Sequence, residues 1–225
     1  MTRILVSWST GKDSAWMVHV LRRQGLWQID GLLTTINEEA ARVAMHAVRV
    51  DLLEAQAAAL GLPVWSVPIP YPCSNAEYER RLGDTMGRAS ASGITHMAFG
   101  DLFLEDVRRY REDRLAASGL TPVFPLWGHP TDQLAREMIG AGLKARLTCV
   151  DPRVLDRSFI NREFDPSLLD DLPPQVDPCG ERGEFHTFAY AGPMFASALP
   201  VRSGEIVERD GFVFGDLLID GIVGE

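Results

Sequence analysis

The chain has 225 residues, of which 46% are hydrophobic and 24% charged, as in a globular protein with ample apolar material for a core. Its net charge of −9 gives no overall field that favours nucleic acid, and its apolar runs are interrupted before they reach bilayer length. The N-terminus turns polar too soon for a secretory signal, and the three cysteines form no C-x-x-C pair. These features predict a cytoplasmic protein without a membrane span and argue against nucleic acid as a partner.

Strand-like and helix-like segments alternate along the first half of the chain. Strands are predicted at 4–6, 29–35, 64–69, 94–99 and 122–126, with helices at 15–23, 47–60, 74–93 and 104–118. This alternation is typical of a parallel sheet with helices on both faces.

The pattern changes after Thr131. A helix is predicted at 132–139, a strand at 145–150 and an acidic, proline-rich loop at 165–178, and Asp210-Gly211 stands where a hairpin turn is expected. The sequence therefore predicts two domains: a nucleotide-binding domain at 1–129 and a smaller α+β, substrate-binding domain at 130–225.

The strongest functional signal lies between the first predicted strand and helix, in the segment STGKDS at residues 9–14. Gly11 lets the backbone approach an anion closely, Lys12 adds positive charge, and the serine and threonine hydroxyls add donors. The helix that follows directs its positive end to the same place. A phosphate-binding loop is the prediction, and a polar turn with a good helix cap is the simpler alternative.

Two common phosphate motifs do not fit this loop. A Walker A loop has glycine five positions before Gly11, where Val6 stands, and serine or threonine where Asp13 stands. A dinucleotide-binding loop has the pattern G-x-G-x-x-G, which does not occur here.

The loop resembles the S-G-G-x-D-S loop of the ATP pyrophosphatases, or PP-loop enzymes. Thr10 replaces the first glycine, and this replacement predicts ordinary backbone angles at that position. The resemblance implies that the loop grips the β- and γ-phosphates of ATP while a substrate oxygen attacks the α-phosphorus, which yields AMP and pyrophosphate. It also implies Mg²⁺, held mostly by phosphate oxygens and water, with no protein metal site.

Two further segments narrow the resemblance. Gly100-Asp101 closes the fourth predicted strand, and GERGEFHT at residues 180–187 matches the pattern G-E-x-G-E-[FY]-x-T. Together with the loop, they resemble the diphthine–ammonia ligase family over roughly residues 3–195, with a variant of the motif closer to the bacterial relatives. The resemblance implies a Rossmann-like sheet of the adenine nucleotide alpha hydrolase type. It further implies that a carboxylate is adenylated and then amidated by ammonia.

The resemblance assigns roles to individual residues. Nucleotide binding falls to Ser7, Ser9, Thr10, Gly11, Lys12, Asp13, Ser14, Arg42, His46, Gly100 and Asp101. Substrate binding falls to Glu181, Glu184, His186 and Thr187, and catalysis to Lys12, Asp13 and Glu184.

Several alternatives stay open at this point. The chain is either an amide-forming ligase, a PP-loop enzyme of another class such as RNA thiolation, or a non-catalytic adenine-nucleotide-binding protein. A sulfur-transfer role for Cys179 stands against a buried structural thiol, and the structural role is favoured. The arginines of helix 104–118 either meet a phosphate or form an exposed face. The aromatic C-terminal segment serves either a small core or a homodimer interface.

Overall fold

The computed structural model describes residues 1–39, 42–43 and 48–220 and contains ten strands and six α-helices within those ranges. The strands are β1 Thr2–Ser7, β2 Trp27–Asn37, β3 Arg42–Val43, β4 Val64–Ile69, β5 His96–Ala98, β6 Thr121–Val123, β7 Lys144–Val150, β8 Phe185–Ala191, β9 Val201–Arg209 and β10 Phe212–Ile219. The helices are α1 Lys12–Gln24, α2 Val50–Leu60, α3 Asn75–Ala91, α4 Glu105–Ala116, α5 Thr131–Gly140 and α6 Pro166–Asp171.

The first sheet is built around β1, which pairs in parallel with β2 on one side and β5 on the other. Parallel pairing continues from β2 to β4 and from β5 to β6, and the short β3 pairs antiparallel with the end of β2. The five parallel strands therefore bring their carboxyl ends to one edge, where ligands of open α/β sheets bind.

Side chains of the first sheet alternate between two apolar cores, as the period of a strand requires. Ile4 and Val6 pack in one core together with residues of α1 and α2, whereas Leu5 packs in the other with Met86 of α3 and Leu115 of α4. Helices thus cover both faces, and the predicted Rossmann-like class is confirmed.

The second sheet is antiparallel, with the order β8-β7-β10-β9. Its hairpin turn lies at Asp210-Gly211, with φ values of 53° and 81°, as predicted from the sequence. Its inner residues join the same core as α1 and α2, with β8 in contact with α1 and β10 with α2, so the second sheet packs against these two helices.

Some predicted elements differ from the structure. The segment 165–178 was predicted as a loop, but it contains α6, because the Asp165 carboxylate accepts from the Leu168 amide at 2.8 Å and caps a helical turn. The strand predicted at 122–126 ends at Val123, and β3 was not predicted. No helix in the described ranges has the length and apolar character that a membrane crossing needs.

Candidate active site

The segment between β1 and α1 is folded by its own serines. The Ser9 Oγ accepts from the Gly11 amide at 3.3 Å and lies 3.2 Å from the Ser14 Oγ. The Ser14 hydroxyl also donates to the Gly11 carbonyl oxygen at 2.9 Å. These bonds hold residues 9–14 as a compact loop at the carboxyl end of β1.

Thr10 has a left-handed backbone conformation, with φ of 70°. The prediction of ordinary backbone angles was therefore wrong: the loop keeps the turn that a glycine adopts easily, although a β-branched residue in this region carries strain of about 1–2 kcal/mol. Its carbonyl oxygen is fixed by the Gln56 Nε2 at 2.9 Å and by the Ala189 amide at 3.0 Å. The side chain is fully buried and does not line the phosphate cavity described below, so its predicted contact with nucleotide is not supported.

Gln56 is a structural residue of the site that the sequence analysis missed. Its Nε2 donates to the carbonyl oxygens of Thr10 and Ala189, and its Oε1 accepts from the Trp8 Nε1 at 3.1 Å. A signal was present, because Gln56 lies on the same helical face as Leu53 and Leu60, where an apolar residue is expected.

Lys12 is 2% exposed, and its ammonium group lies among fixed partners. The Nζ donates to Asp13 Oδ2 at 2.8 Å and to the Cys179 carbonyl oxygen, and it lies 5.4 Å from the ring centres of Phe164 and Phe185. Burial by itself lowers the pKa of Lys12, but the Asp13 carboxylate and other neighbours outweigh it and the pKa is raised. The site therefore holds a permanent buried positive charge.

The loop before β8 is held by Glu184. Its Oε1 accepts from the Asp177 amide and its Oε2 from the Arg182 amide, each at 2.9 Å. Because both oxygens bind the loop backbone and the side chain does not line the phosphate cavity, the predicted catalytic and substrate-binding roles of Glu184 are not supported. Gly180 also shapes this loop, since its φ is 68° and a Cβ there would stand 2.8 Å from the Phe185 carbonyl oxygen.

Glu181, the other glutamate of the motif that was predicted to bind substrate, lines the cavity. Its Oε1 accepts from the Leu102 amide at 2.7 Å. Burial raises the pKa of Glu181 to about 7, and the nearby carboxylates of Asp13 and Asp101 act in the same direction. Near neutral pH this carboxyl group therefore exchanges a proton readily.

The β5 side of the site is formed by Gly100 and Asp101. A Cβ at Gly100 would stand 3.4 Å from the Asp13 carbonyl carbon, so the absence of a side chain lets this segment pack closely against α1. Burial raises the pKa of Asp101, and the nearby Arg111 opposes that effect.

His186 and Thr187 lie on β8, beside the loop at residues 9–14, which we call the phosphate loop. The Thr187 Oγ1 accepts from the Lys12 amide at 3.1 Å. Burial lowers the pKa of His186 to about 4, and the charge of Lys12 adds to the shift. At neutral pH His186 is therefore an uncharged imidazole.

The two motifs predicted from the sequence line one cavity of about 250 Å³, which we call the phosphate cavity. Its walls come from the phosphate loop, the end of β5, α4 and the loop that leads into β8. They include Ser7, Ser9, Gly11, Lys12, Asp13, Ser14, Gly100, Asp101, Arg111, Glu181, His186 and Thr187. Most of the predicted site residues are thus brought together.

Two further cavities adjoin it. A cavity of about 180 Å³, the nucleoside cavity, shares Ser7, Ser9, Phe99 and Arg111 with the phosphate cavity and is otherwise lined mainly by apolar side chains such as Leu33, Leu82, Met86 and Met97. A cavity of about 560 Å³, the outer cavity, shares His186 with it.

Arg42, a predicted nucleotide ligand, does not line the phosphate cavity. Arg42 pairs with Asp216 at 2.9 Å and lines the outer cavity, because β3 lies beyond the end of the parallel strands. His46 lies outside the described residues.

Cys179 and Cys149 are both buried thiols. Cys179 is buried, its Sγ donates to the Thr131 carbonyl oxygen at 3.4 Å, and burial raises its pKa far above the ordinary value. Burial likewise raises the pKa of Cys149 to about 12. A thiol that stays protonated is a poor nucleophile, so the predicted burial of Cys179 is confirmed and its structural role stays the favoured prediction.

Comparisons with known proteins identify the family of the chain. Residues 2–121 match the N-terminal domain of diphthamide synthase, and residues 130–219 match its C-terminal domain. A mouse protein named diphthine–ammonia ligase is 32% identical over 119 residues, which cover 49% of this chain and 44% of the mouse protein. Its human counterpart is 31% identical over 110 residues, or 46% of this chain and 41% of the human protein, so less than half of either relative is covered. The two domain matches show that the chain belongs to the diphthamide synthase family.

Proposed function

We propose that this protein is an ATP-dependent amide-forming ligase that adenylates a substrate carboxylate and then amidates it with ammonia. One observation carries the proposal: the phosphate loop and the motif at 180–187 lie 175 residues apart in sequence, yet they line the same cavity. An enzyme of this kind needs the phosphate grip and the acceptor site to meet at one place. The names of the mouse and human relatives support the same reaction class.

ATP is proposed to lie across the phosphate and nucleoside cavities. The apolar walls of the nucleoside cavity suit adenine, and the buried ammonium group of Lys12 suits the β- and γ-phosphates. In the first step a carboxylate oxygen attacks the α-phosphorus, the bond to the bridging oxygen breaks, and pyrophosphate leaves with that electron pair. Lys12 stabilises the charge that builds on pyrophosphate.

In the second step ammonia attacks the acyl carbon and AMP leaves. The attacking nitrogen must lose a proton, and we assign Glu181 as its acceptor. Glu181 lines the phosphate cavity, and its raised pKa makes it a stronger proton acceptor than an ordinary carboxylate, as general base catalysis requires.

The residues of the phosphate cavity also fit Mg²⁺. Asp13 Oδ1 and Asp101 Oδ2 are buried carboxylate oxygens that accept no hydrogen bond within the described ranges. Magnesium prefers such oxygens and commonly takes one or two carboxylates together with phosphate oxygens. These two aspartates would hold the ion, which differs from the expectation that phosphate oxygens and water alone would bind it, and the ion would neutralise phosphate charge.

The acceptor carboxylate is proposed to enter from the outer cavity, which meets the phosphate cavity at His186. Its volume of about 560 Å³ suits a small molecule or a modified side chain, and Tyr71, Phe212 and Phe214 give it an apolar wall. The uncharged imidazole of His186 can donate a hydrogen bond to the incoming carboxylate or accept one from ammonia.

The test is to incubate the protein with ATP labelled at the α-phosphate, Mg²⁺, ammonium chloride and fractionated cell extract. At least one fraction should promote the formation of AMP and pyrophosphate, and hydroxylamine in place of ammonia should trap the acyl group as a hydroxamate. Lys12→Ala should abolish the reaction, whereas Lys144→Ala, at an exposed lysine, should not. ADP as the product, or full turnover by the Lys12 variant, would contradict the proposal.

A further inference from the structure

Arg111 stands where the phosphate cavity and the nucleoside cavity meet. It projects from α4 and is one of four residues that line both cavities, with Ser7, Ser9 and Phe99. Its guanidinium carbon lies 5.2 Å from the centre of the Phe99 ring, and its side chain is 32% exposed. The cation is therefore packed in place at the neck between the two cavities.

The Arg111 side chain lines this neck, and its Nε makes no hydrogen bond within the described residues. Its Nε lies 3.5 Å from Asp101 Oδ2, an ion pair too long and too poorly aligned for a strong hydrogen bond. Within the described part of the chain, both of these buried atoms lack a hydrogen-bond partner. The unsatisfied Arg111 donor indicates a site that is completed by an acceptor, whereas Asp101 Oδ2, itself an acceptor, is the atom proposed to hold Mg²⁺.

The position of that group follows from the shape of ATP, and this step rests on the proposed function. If adenosine fills one cavity and the β- and γ-phosphates fill the other, the α-phosphate must lie in the neck. A planar guanidinium suits phosphate oxygens because it can donate two parallel hydrogen bonds.

We infer that Arg111 is a catalytic residue that binds the α-phosphate of ATP and the phosphate of the acyl-adenylate. As the carboxylate oxygen bonds to the α-phosphorus and pyrophosphate leaves, Arg111 donates hydrogen bonds to the non-bridging oxygens and no proton is transferred. The same contact holds AMP after amidation.

The other arginines of α4 do not share this position. Arg108 stacks 4.8 Å from the ring centres of both Phe124 and Trp127 and pairs with Glu112. Arg114 pairs with Glu79 and lines the nucleoside cavity but not the phosphate cavity. Arg108 therefore packs on aromatic rings and lines neither cavity, so it serves as a control.

The test compares adenosine, AMP and ATP binding, by calorimetry, to the full chain and to variants. Arg111→Gln should lower the affinity for AMP by roughly tenfold to a hundredfold, the usual range for a charged hydrogen bond, and leave adenosine affinity within about twofold. Arg108→Gln should bind all three as the wild type does. Adenosine binding also reports that each variant is folded. If Arg111→Gln does not fold, Arg111→Lys should show a smaller loss of AMP affinity in the same direction.

Two results would overturn the inference and can be told apart. If Arg111→Gln weakens adenosine and AMP equally, or leaves AMP affinity unchanged, Arg111 does not bind the α-phosphate and the ligase proposal stands. If the wild type itself binds no ATP, the proposed function fails together with the inference.

Discussion

The backbone amide of Lys12 donates a hydrogen bond to the side-chain oxygen of Thr187 at 3.1 Å, and this bond joins the phosphate loop to β8. Thr187 lies in the motif that matched the family pattern, and Lys12 begins α1. The helix end that points toward the phosphate cavity is thus fixed by a residue of the second sheet. Nucleotide binding and the position of the second sheet should therefore be coupled.

Thr187→Val should weaken both folding and ATP binding. The change keeps the shape of the side chain but leaves the buried Lys12 amide without its acceptor, a loss of about 1–3 kcal/mol in the free energy of unfolding. Urea unfolding and ATP titration measure the two effects. Thr187→Ser keeps the hydroxyl and is expected to retain most of the stability and most of the affinity for ATP. A valine variant as stable as the serine variant would show that the bond contributes nothing.

Thr10→Gly should be more stable than Thr10→Ala, the reverse of the usual order. At φ of 70° a residue with a Cβ is strained, whereas glycine adopts this conformation without cost. The expected difference is about 1 kcal/mol in the free energy of unfolding, measured in urea. An alanine variant equal to or more stable than the glycine variant would contradict the left-handed conformation of Thr10.

Gln56→Glu should destabilise the protein by about 3 kcal/mol or more, because a carboxylate cannot donate to the carbonyl oxygens of Thr10 and Ala189 and places a charge in the core. Gln133→Glu makes the same substitution on an exposed face of α5 and should change stability by less than about 0.5 kcal/mol. Thermal unfolding of the two variants gives the comparison. Equal transition temperatures would refute the role assigned to Gln56.

Local pattern was sufficient to predict much of the fold. The alternation of strands and helices identified the parallel sheet, and Gly25 and Gly61 follow α1 and α2 in the left-handed conformation that glycine commonly adopts at a helix end. The predicted domain boundary between residues 129 and 130 stays a prediction, and limited proteolysis would test it. The apolar core that spans both sheets indicates that the two parts pack tightly.

The site was harder to predict, because sequence spacing does not show where a side chain points. The motif identified Glu181 and Glu184 together. In the structure Glu181 lines the phosphate cavity, whereas both carboxylate oxygens of Glu184 accept hydrogen bonds from the backbone of the loop. Arg111 could not be distinguished from its neighbours on α4 without the cavities. The strain at Thr10 is accepted because Gln56 and Ala189, distant in sequence, fix its carbonyl oxygen.

Glu181 should make stability depend on pH near neutrality. Its pKa is raised to about 7 in the folded protein from an ordinary value of 4.5, so folding favours the protonated form. Its contribution is therefore fully present below about pH 4.5 and is lost as the pH rises through about 7. Relative to Glu181→Gln, the wild type should lose free energy of unfolding between about pH 5 and pH 8, because other groups titrate alike in both proteins. Glu208→Gln, at an exposed carboxylate, should show no such difference. A constant gap between wild type and Glu181→Gln across this range would mean that the carboxyl group is already ionised at pH 5, and would remove the basis for its role as the proton acceptor.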